Sequence, residues 1–371
     1  MRDGIKIVAA AVVLSFTVLL VPVHAQKPAG ALATSAQTSS GAVASGSDGA
    51  TAAPVVSKWK FKTGGSVYST PAIANGVAYF GSYDYYFYAI DSATGRELWK
   101  HKTGGRILGS PALSNGVIYV GSQDTRLYAL DGGTGKERWK FKAEYAVNST
   151  PVVANGIVYC AGTVGLLYAI DAATGKELWR FSAEAGAPTS PLLVGNTLYV
   201  GSGRGLHAVD AATGQKKWTA KTARPVVSAP VGGGDGEAIY FTSLDNQLHA
   251  VDAATGQQRW SFKTEGSLPH SPALWNGALY FGGIDGNLYA VEAQTGRLRW
   301  KFVAEHGVTS APVVANSLVH FGSLKGLYTL NAETGQLKWS YTTDRIVTST
   351  PTVSGGLIYF GGWDGHLYAV Q

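Results

Sequence analysis

The chain has 371 residues, with 48 Gly, 10 Trp, 19 Tyr and only 15% charged residues. An apolar content of 45% excludes wholesale disorder, and a single cysteine, Cys160, excludes a disulfide framework, a Cys-rich zinc site and a CxxC redox motif. A net charge of +6 is too dilute over this length for a nucleic-acid footprint, so no nucleic-acid partner is expected.

Residues 1–25 read as an export signal. Arg2 and Lys6 give a positive start, Ile7 to Val21 is mostly apolar, and Val23 and Ala25 put small residues where a signal peptidase cuts. Cleavage after Ala25 is expected, and retention as a membrane anchor is the alternative. Residues 26–56 are almost wholly Ala, Ser, Thr and Gly, too poor in apolar surface to offset ordering, and read as a flexible linker.

From Trp59 onward the sequence repeats. Trp59, Trp99, Trp139, Trp179, Trp218, Trp260, Trp300 and Trp339 are separated by 39 to 42 residues. A proline series from Pro71 to Pro351 keeps the same pace, and Thr-Gly pairs precede seven of the tryptophans. Such a period marks units that bury their apolar faces only against neighbours. Each unit reads as four short strands. In the first, "VYSTPAIA" meets the Asn75-Gly76 turn, "VAYFGS" and "FYAID" follow, and "SATG" leads into "ELWKHK". An all-β, eight-bladed propeller of four-stranded antiparallel blades over residues 57–371 is predicted. Eight first, second and third strands are present, but only seven fourth strands follow a third. The strand around Trp59 must therefore complete the last blade by pairing with Leu367 to Val370.

The recurring chemistry reads as scaffold. Asp91, Asp131, Asp171, Asp210 and Asp252, with Glu292 and Asn331 in register, are expected to accept backbone N–H bonds in turns. The tryptophans should wedge between blades. Cys160, inside "IVYCAG", reads as a small core residue.

Function should sit where repeats differ. In the loops entering each first strand, Arg106, Tyr145, Asn148, Arg224, His270, His306 and Arg345 form a candidate rim for an anionic ligand or acidic peptide. The favoured reading is a solvated edge partly neutralised by Glu144, Glu184, Glu265, Glu305 and Asp344. Between second and third strands, Tyr83, Tyr85, Tyr86 and Phe87 of the first blade should meet Trp363 of the last, because closure makes those blades neighbours. Clustered aromatics suit a peptide or sugar, although strand alternation would bury half of them.

The segments "LYALDGGTGKERWKF", "LYAIDAATGKELWRF" and "LHAVDAATGQQRWSF" resemble the tryptophan-docking repeat of the quinoprotein (PQQ-like) propeller superfamily. Size, blade number and export signal resemble its BamB-like branch. That resemblance implies a monomeric, non-catalytic envelope scaffold. Its partners would be other envelope proteins, including outer-membrane β-barrel assembly components. The alternatives are a polysaccharide- or ligand-binding sensor and a PQQ-dependent dehydrogenase. The chain lacks the adjacent cysteines and long insertions of the dehydrogenases and has no DxDxDG-like calcium loop. No catalytic, cofactor or metal residue is assigned, and PQQ with calcium is not expected. Without a lipidated Cys, the chain is expected in the periplasm or at the cell surface, not as a lipoprotein.

Overall fold

In the computed structural model, residues 43–44, 55–183, 186, 189–203, 205–233 and 236–371 are described. The export signal lies outside them, as does most of the linker. Among the described residues, none is helical.

Eight sheets of four antiparallel strands follow one another along the chain. Blade 1 is built from Ala72–Ala74, Val77–Gly81, Tyr86–Asp91 and Glu97–Lys102, and blades 2 to 7 repeat it in order. First strands neighbour one another between blades 2 and 3, across blades 4 to 7 and between blades 8 and 1, which sets these strands around the axis. A belt of hydrogen bonds ties them: the amides of Thr70, Ser110, Thr150 and Ala229 donate to the hydroxyls of Ser110, Thr150, Ser190 and Ser271, each one blade ahead. The predicted Asn75-Gly76 turn has φ of 49° and 75°, both in the left-handed region that a type I′ hairpin requires.

Blade 8 takes Thr352–Ser354, Leu357–Gly361 and His366–Val370 from the C-terminus and Ser57–Lys62 from the N-terminus. Trp59 pairs with Ala369 and Phe61 with Leu367, the predicted closure. Contact with the ring continues past the start of the closing strand at Ser57. Val56 and Gln371 exchange both backbone hydrogen bonds, at 3.2 and 3.1 Å, and Val55 packs in the core between blades 7 and 8. Within the expected linker, Val43–Ala44 also lies parallel to Lys301 and Phe302 at the outer edge of blade 6.

Every fourth strand carries a bulge at the residue before its tryptophan. The extra residue turns outward, as the exposed Leu98 and Leu178 show, and the indole swings toward the next blade. There it lies over the glycine of the next Thr-Gly pair. A Cβ placed on Gly335 would come within 2.7 Å of the Trp300 ring. The indole N–H donates to a carbonyl of the same turn, Trp300 to Ala332 at 3.0 Å and Trp59 to Ser92 at 3.1 Å. The turn is held by its aspartate: Asp91 accepts from the amide of Thr94 at 2.8 Å and from its hydroxyl at 2.7 Å.

Closure by the N-terminus leaves blade 8 without this turn, and blade 7 shows the consequence. Tyr79, Tyr119, Tyr159, Tyr199, Tyr280 and Tyr359 donate their hydroxyls to the next blade's turn. The corresponding residue of blade 7 is His320, bonded instead to Thr329 at 2.8 Å, where other blades have Ala. Val55 occupies the register of the docking glycine and packs on the same core cluster as Trp339. Burial pushes the His320 imidazole down from 6.5 to about 4, so it stays neutral. The unfolded chain therefore takes up this proton first as pH falls, and stability is lost between about pH 6.5 and 4. The double variant His320→Phe/Thr329→Ala is expected to flatten that loss, measured as the difference in melting temperature between neutral and mildly acidic buffer.

Candidate partner-binding face

One face of the ring carries the loops entering each first strand and the turns between second and third strands. Across the seam of blades 8, 1 and 2, four side chains on this face form a continuous ribbon. Trp363 lies 5.4 Å from Tyr68, Tyr68 stacks on Tyr83 at 4.7 Å and 10°, and the Arg106 guanidinium sits 5.1 Å from the Tyr83 ring centre. The ribbon is anchored beneath: the Trp363 indole donates to Thr348 at 3.0 Å, and the Ser66 hydroxyl donates to the Trp363 carbonyl at 3.1 Å. Burial, with the Tyr83 hydroxyl beside it, pushes the Tyr68 phenol well above its usual range. Burial also raises Tyr83, although Tyr68 and the Arg106 charge pull the other way. Both rings are neutral over any physiological pH and half-buried, with their orientation fixed by the stack.

Under this face, five turn aspartates lock their blades. Asp84, Asp124, Asp285 and Asp364 accept the hydroxyls of Tyr88, Tyr128, Tyr289 and Tyr368, and Asp245 pairs with His249 at 3.1 Å. The Gly64, Gly104 and Gly266 amides, entering from the preceding loops, bond Asp84, Asp124 and Asp285 as well. Burial alone would raise Asp245, but His249, Ser243 and the Gln247 amide hold it below the usual carboxylate range. With their acceptor atoms committed this way, the aspartates do not converge. Among the described residues, no three His, Cys, Asp or Glu side chains come together to hold a cation.

The sequence-predicted residues separate. Tyr83, Trp363 and Arg106 meet in the ribbon. Tyr85 is exposed, at φ 73°, and Tyr86 is half-buried against the core between blades 8 and 1, with Lys100 and Lys102 5.5 and 5.9 Å from its ring. Phe87 is fully buried in the core between blades 1 and 2. Arg224 and Arg345 are exposed in blades 5 and 8, and Tyr145 in blade 3. His306 lies 3.9 Å from Glu305, and the Asn148 side-chain oxygen is buried without a partner among the described residues. His270 adds no charge to the rim, because burial pushes it down to about 4. Glu184 lies outside the described residues. Cys160 is buried, and burial pushes its thiol up to about 12. Tyr68 was missed, although a signal existed. Three residues before the repeat proline, the other blades carry Leu108, Asn148, Pro188, Val227, Pro269, Thr309 and Thr348, none of them aromatic.

The model of the family described as outer membrane protein assembly factor BamB matches residues 33–110, 88–233, 203–324 and 305–371. The structure of BamB from Moraxella catarrhalis superposes with a TM-score of 0.75 at 19% identity, covering 86% of this chain and 100% of that one. Quinohemoprotein alcohol dehydrogenase from Comamonas testosteroni superposes at 0.71 with 16% identity, over 85% of this chain and 76% of that one. At these identities the superpositions establish the fold. A segment of 40 residues is 55% identical to the uncharacterized protein YxaL of Bacillus subtilis (strain 168), about a tenth of the length of each chain. Its tryptophan-docking repeat and the family model, matched in overlapping stretches along nearly the whole ring, place this chain in the BamB family of PQQ-like β-propellers.

Proposed function

We propose that this protein is a non-catalytic binding propeller of the cell envelope, exported to the periplasm or the cell surface, whose seam ribbon holds a segment of another envelope protein. The carrying observation is the Trp363–Tyr68–Tyr83–Arg106 stack. Trp, Tyr and Arg dominate the energetics of protein interfaces, because each offers a large rigid surface with a polar tip. Outer-membrane β-barrel assembly components are the first partners to test, given the family. Their unfolded strands would present the aromatic and aliphatic side chains that such a shelf accepts.

Crosslinking in the native envelope followed by pull-down is expected to recover such components with the full chain. Tyr83→Ala and Trp363→Ala are expected to weaken retention by about tenfold or more each, the loss of one interface anchor. Their melting temperatures should change little relative to a tryptophan-dock variant. Recovery of the same partners by the variants at wild-type levels would refute the assignment of the ribbon. Absence of any assembly component from the wild-type crosslinks would refute the choice of partner.

A further inference from the structure

On the opposite face, blades 5 and 6 leave a hollow of about 660 Å³. Two departures from the repeat meet in it. The residue ending the first strand is small or aliphatic in other blades (Ala74, Ser114, Ala154, Val194, Ala315, Ser354), but in blade 6 it is Trp275, half-buried on the wall of the hollow. In blade 5 the run from Pro230 to Tyr240 is two residues longer than from Pro71 to Tyr79. The added length is glycine-rich, and Gly233 lines the hollow without a side chain to fill it. The matching hollow between blades 1 and 2 is smaller, about 450 Å³, and no charged side chain lines it.

Around Trp275 the charges alternate. Arg299, exposed on the outer strand of blade 6, donates to the Gly277 carbonyl at 3.2 Å and makes no ion pair among the described residues. Arg259 bonds Asp252 at 2.8 Å and lies 3.8 Å from Glu237, and Glu292 closes the other side. Two guanidinium and two carboxylate groups lining one hollow cancel, so an ion gains little net attraction there. Hydroxyl groups gain more, since each both donates and accepts and can bridge a guanidinium and a carboxylate. An indole face supplies apolar contact for the C–H face of a sugar ring, and the volume lies within the range of small-ligand sites, about 300–1,000 Å³.

We infer that this hollow binds a short neutral oligosaccharide, one ring lying on Trp275 with its hydroxyls held by Arg299, Arg259, Glu237 and Glu292. The inference is independent of the partner assigned to the seam ribbon. Saturation-transfer NMR of the full chain with cellotetraose, maltotetraose and chitotriose tests it. At least one of these is expected to bind, with transfer strongest to ring C–H protons. Trp275→Ala should cost about tenfold or more in affinity, roughly one good contact. Because Trp275 also packs toward blade 7, Arg299→Gln, on the surface, provides a variant that leaves the core intact and should weaken binding severalfold. Ile284→Ala, on the other face, should bind as the wild type does. The inference is overturned by no transfer from any of the three at about 10 mM sugar, a concentration that reaches even millimolar sites. Binding that Arg299→Gln leaves unchanged, or tighter binding of an anionic oligosaccharide, overturns it equally.

Discussion

Deleting residues 55–62 is expected to abolish the single cooperative unfolding transition and drive the chain to aggregate. This segment supplies the outer strand of blade 8, the Trp59 indole docked on blade 1 through Ser92, and Phe61 set edge-on against Phe80 and Tyr88 at 6.1 and 5.5 Å. Without it, His366–Val370 becomes an open edge beside uncovered apolar side chains, which templates pairing with other chains. An interrupted ring also lets blades open from the gap one at a time, since each is held by its neighbours. A circular permutant separates the strand's role from its position in the sequence. It would start at Thr63, carry Asp in place of Gln371, and continue through Ala-Ala-Thr-Gly, as in the other blades, into Val56–Lys62. Gln371 and Val56 are already hydrogen-bonded, so the turn has only to span a hairpin. The permutant is expected to melt within a few degrees of the wild type in thermal circular dichroism and to elute as a monomer. It also restores a turn carbonyl for Trp339. A permutant as unstable as the deletion would show that closure is not what the segment provides.

Trp300→Ala is expected to destabilise the ring by about 3–5 kcal/mol, the cost of emptying a buried aromatic site. Trp300 is 3% exposed, lies over Gly335 and bonds the Ala332 carbonyl. Gly335→Ala strikes the same dock from the other side, because its Cβ would meet the indole at 2.7 Å and φ is +72°. With the indole gone the collision disappears but the strain of the left-handed backbone stays. The double variant should therefore be more stable than the sum of the two single losses predicts. Denaturant unfolding of the four proteins, compared at their midpoints, gives the cycle, and strict additivity would contradict the dock.

The separation of scaffold from site follows the same logic. Residues in register across the repeat hold blade to blade, whereas the seam ribbon and the Trp275 hollow lie where registers break. Trp275 and the 42-residue step between Trp218 and Trp260 were both legible in the chain. That they meet in one hollow was not, because residues of adjacent blades are brought together only by the ring.

The sequence by itself determined the strand order, the eight blades and the pairing of Trp59 with the tail. Those features rest on local periodicity, and a repeat in which seven of the eight tryptophans dock on the next unit's Thr-Gly turn leaves a single arrangement. It also placed Cys160 in the core and assigned the periodic acids to turns. The tertiary structure alone decided which variable side chains touch. Tyr68 and Trp363 stand at opposite ends of the chain and become neighbours only on closure. His270 reads as part of a cationic rim, but its ring is partly buried and desolvation holds it below the usual imidazole range. Tyr85, Tyr86 and Phe87 are adjacent in sequence, yet the turn leaves Tyr85 exposed and the β-pleat sends Tyr86 and Phe87 to opposite faces of their strand. Such contacts depend on the curvature of the whole ring and on the dielectric at each point, and neither is a property of any short stretch of residues.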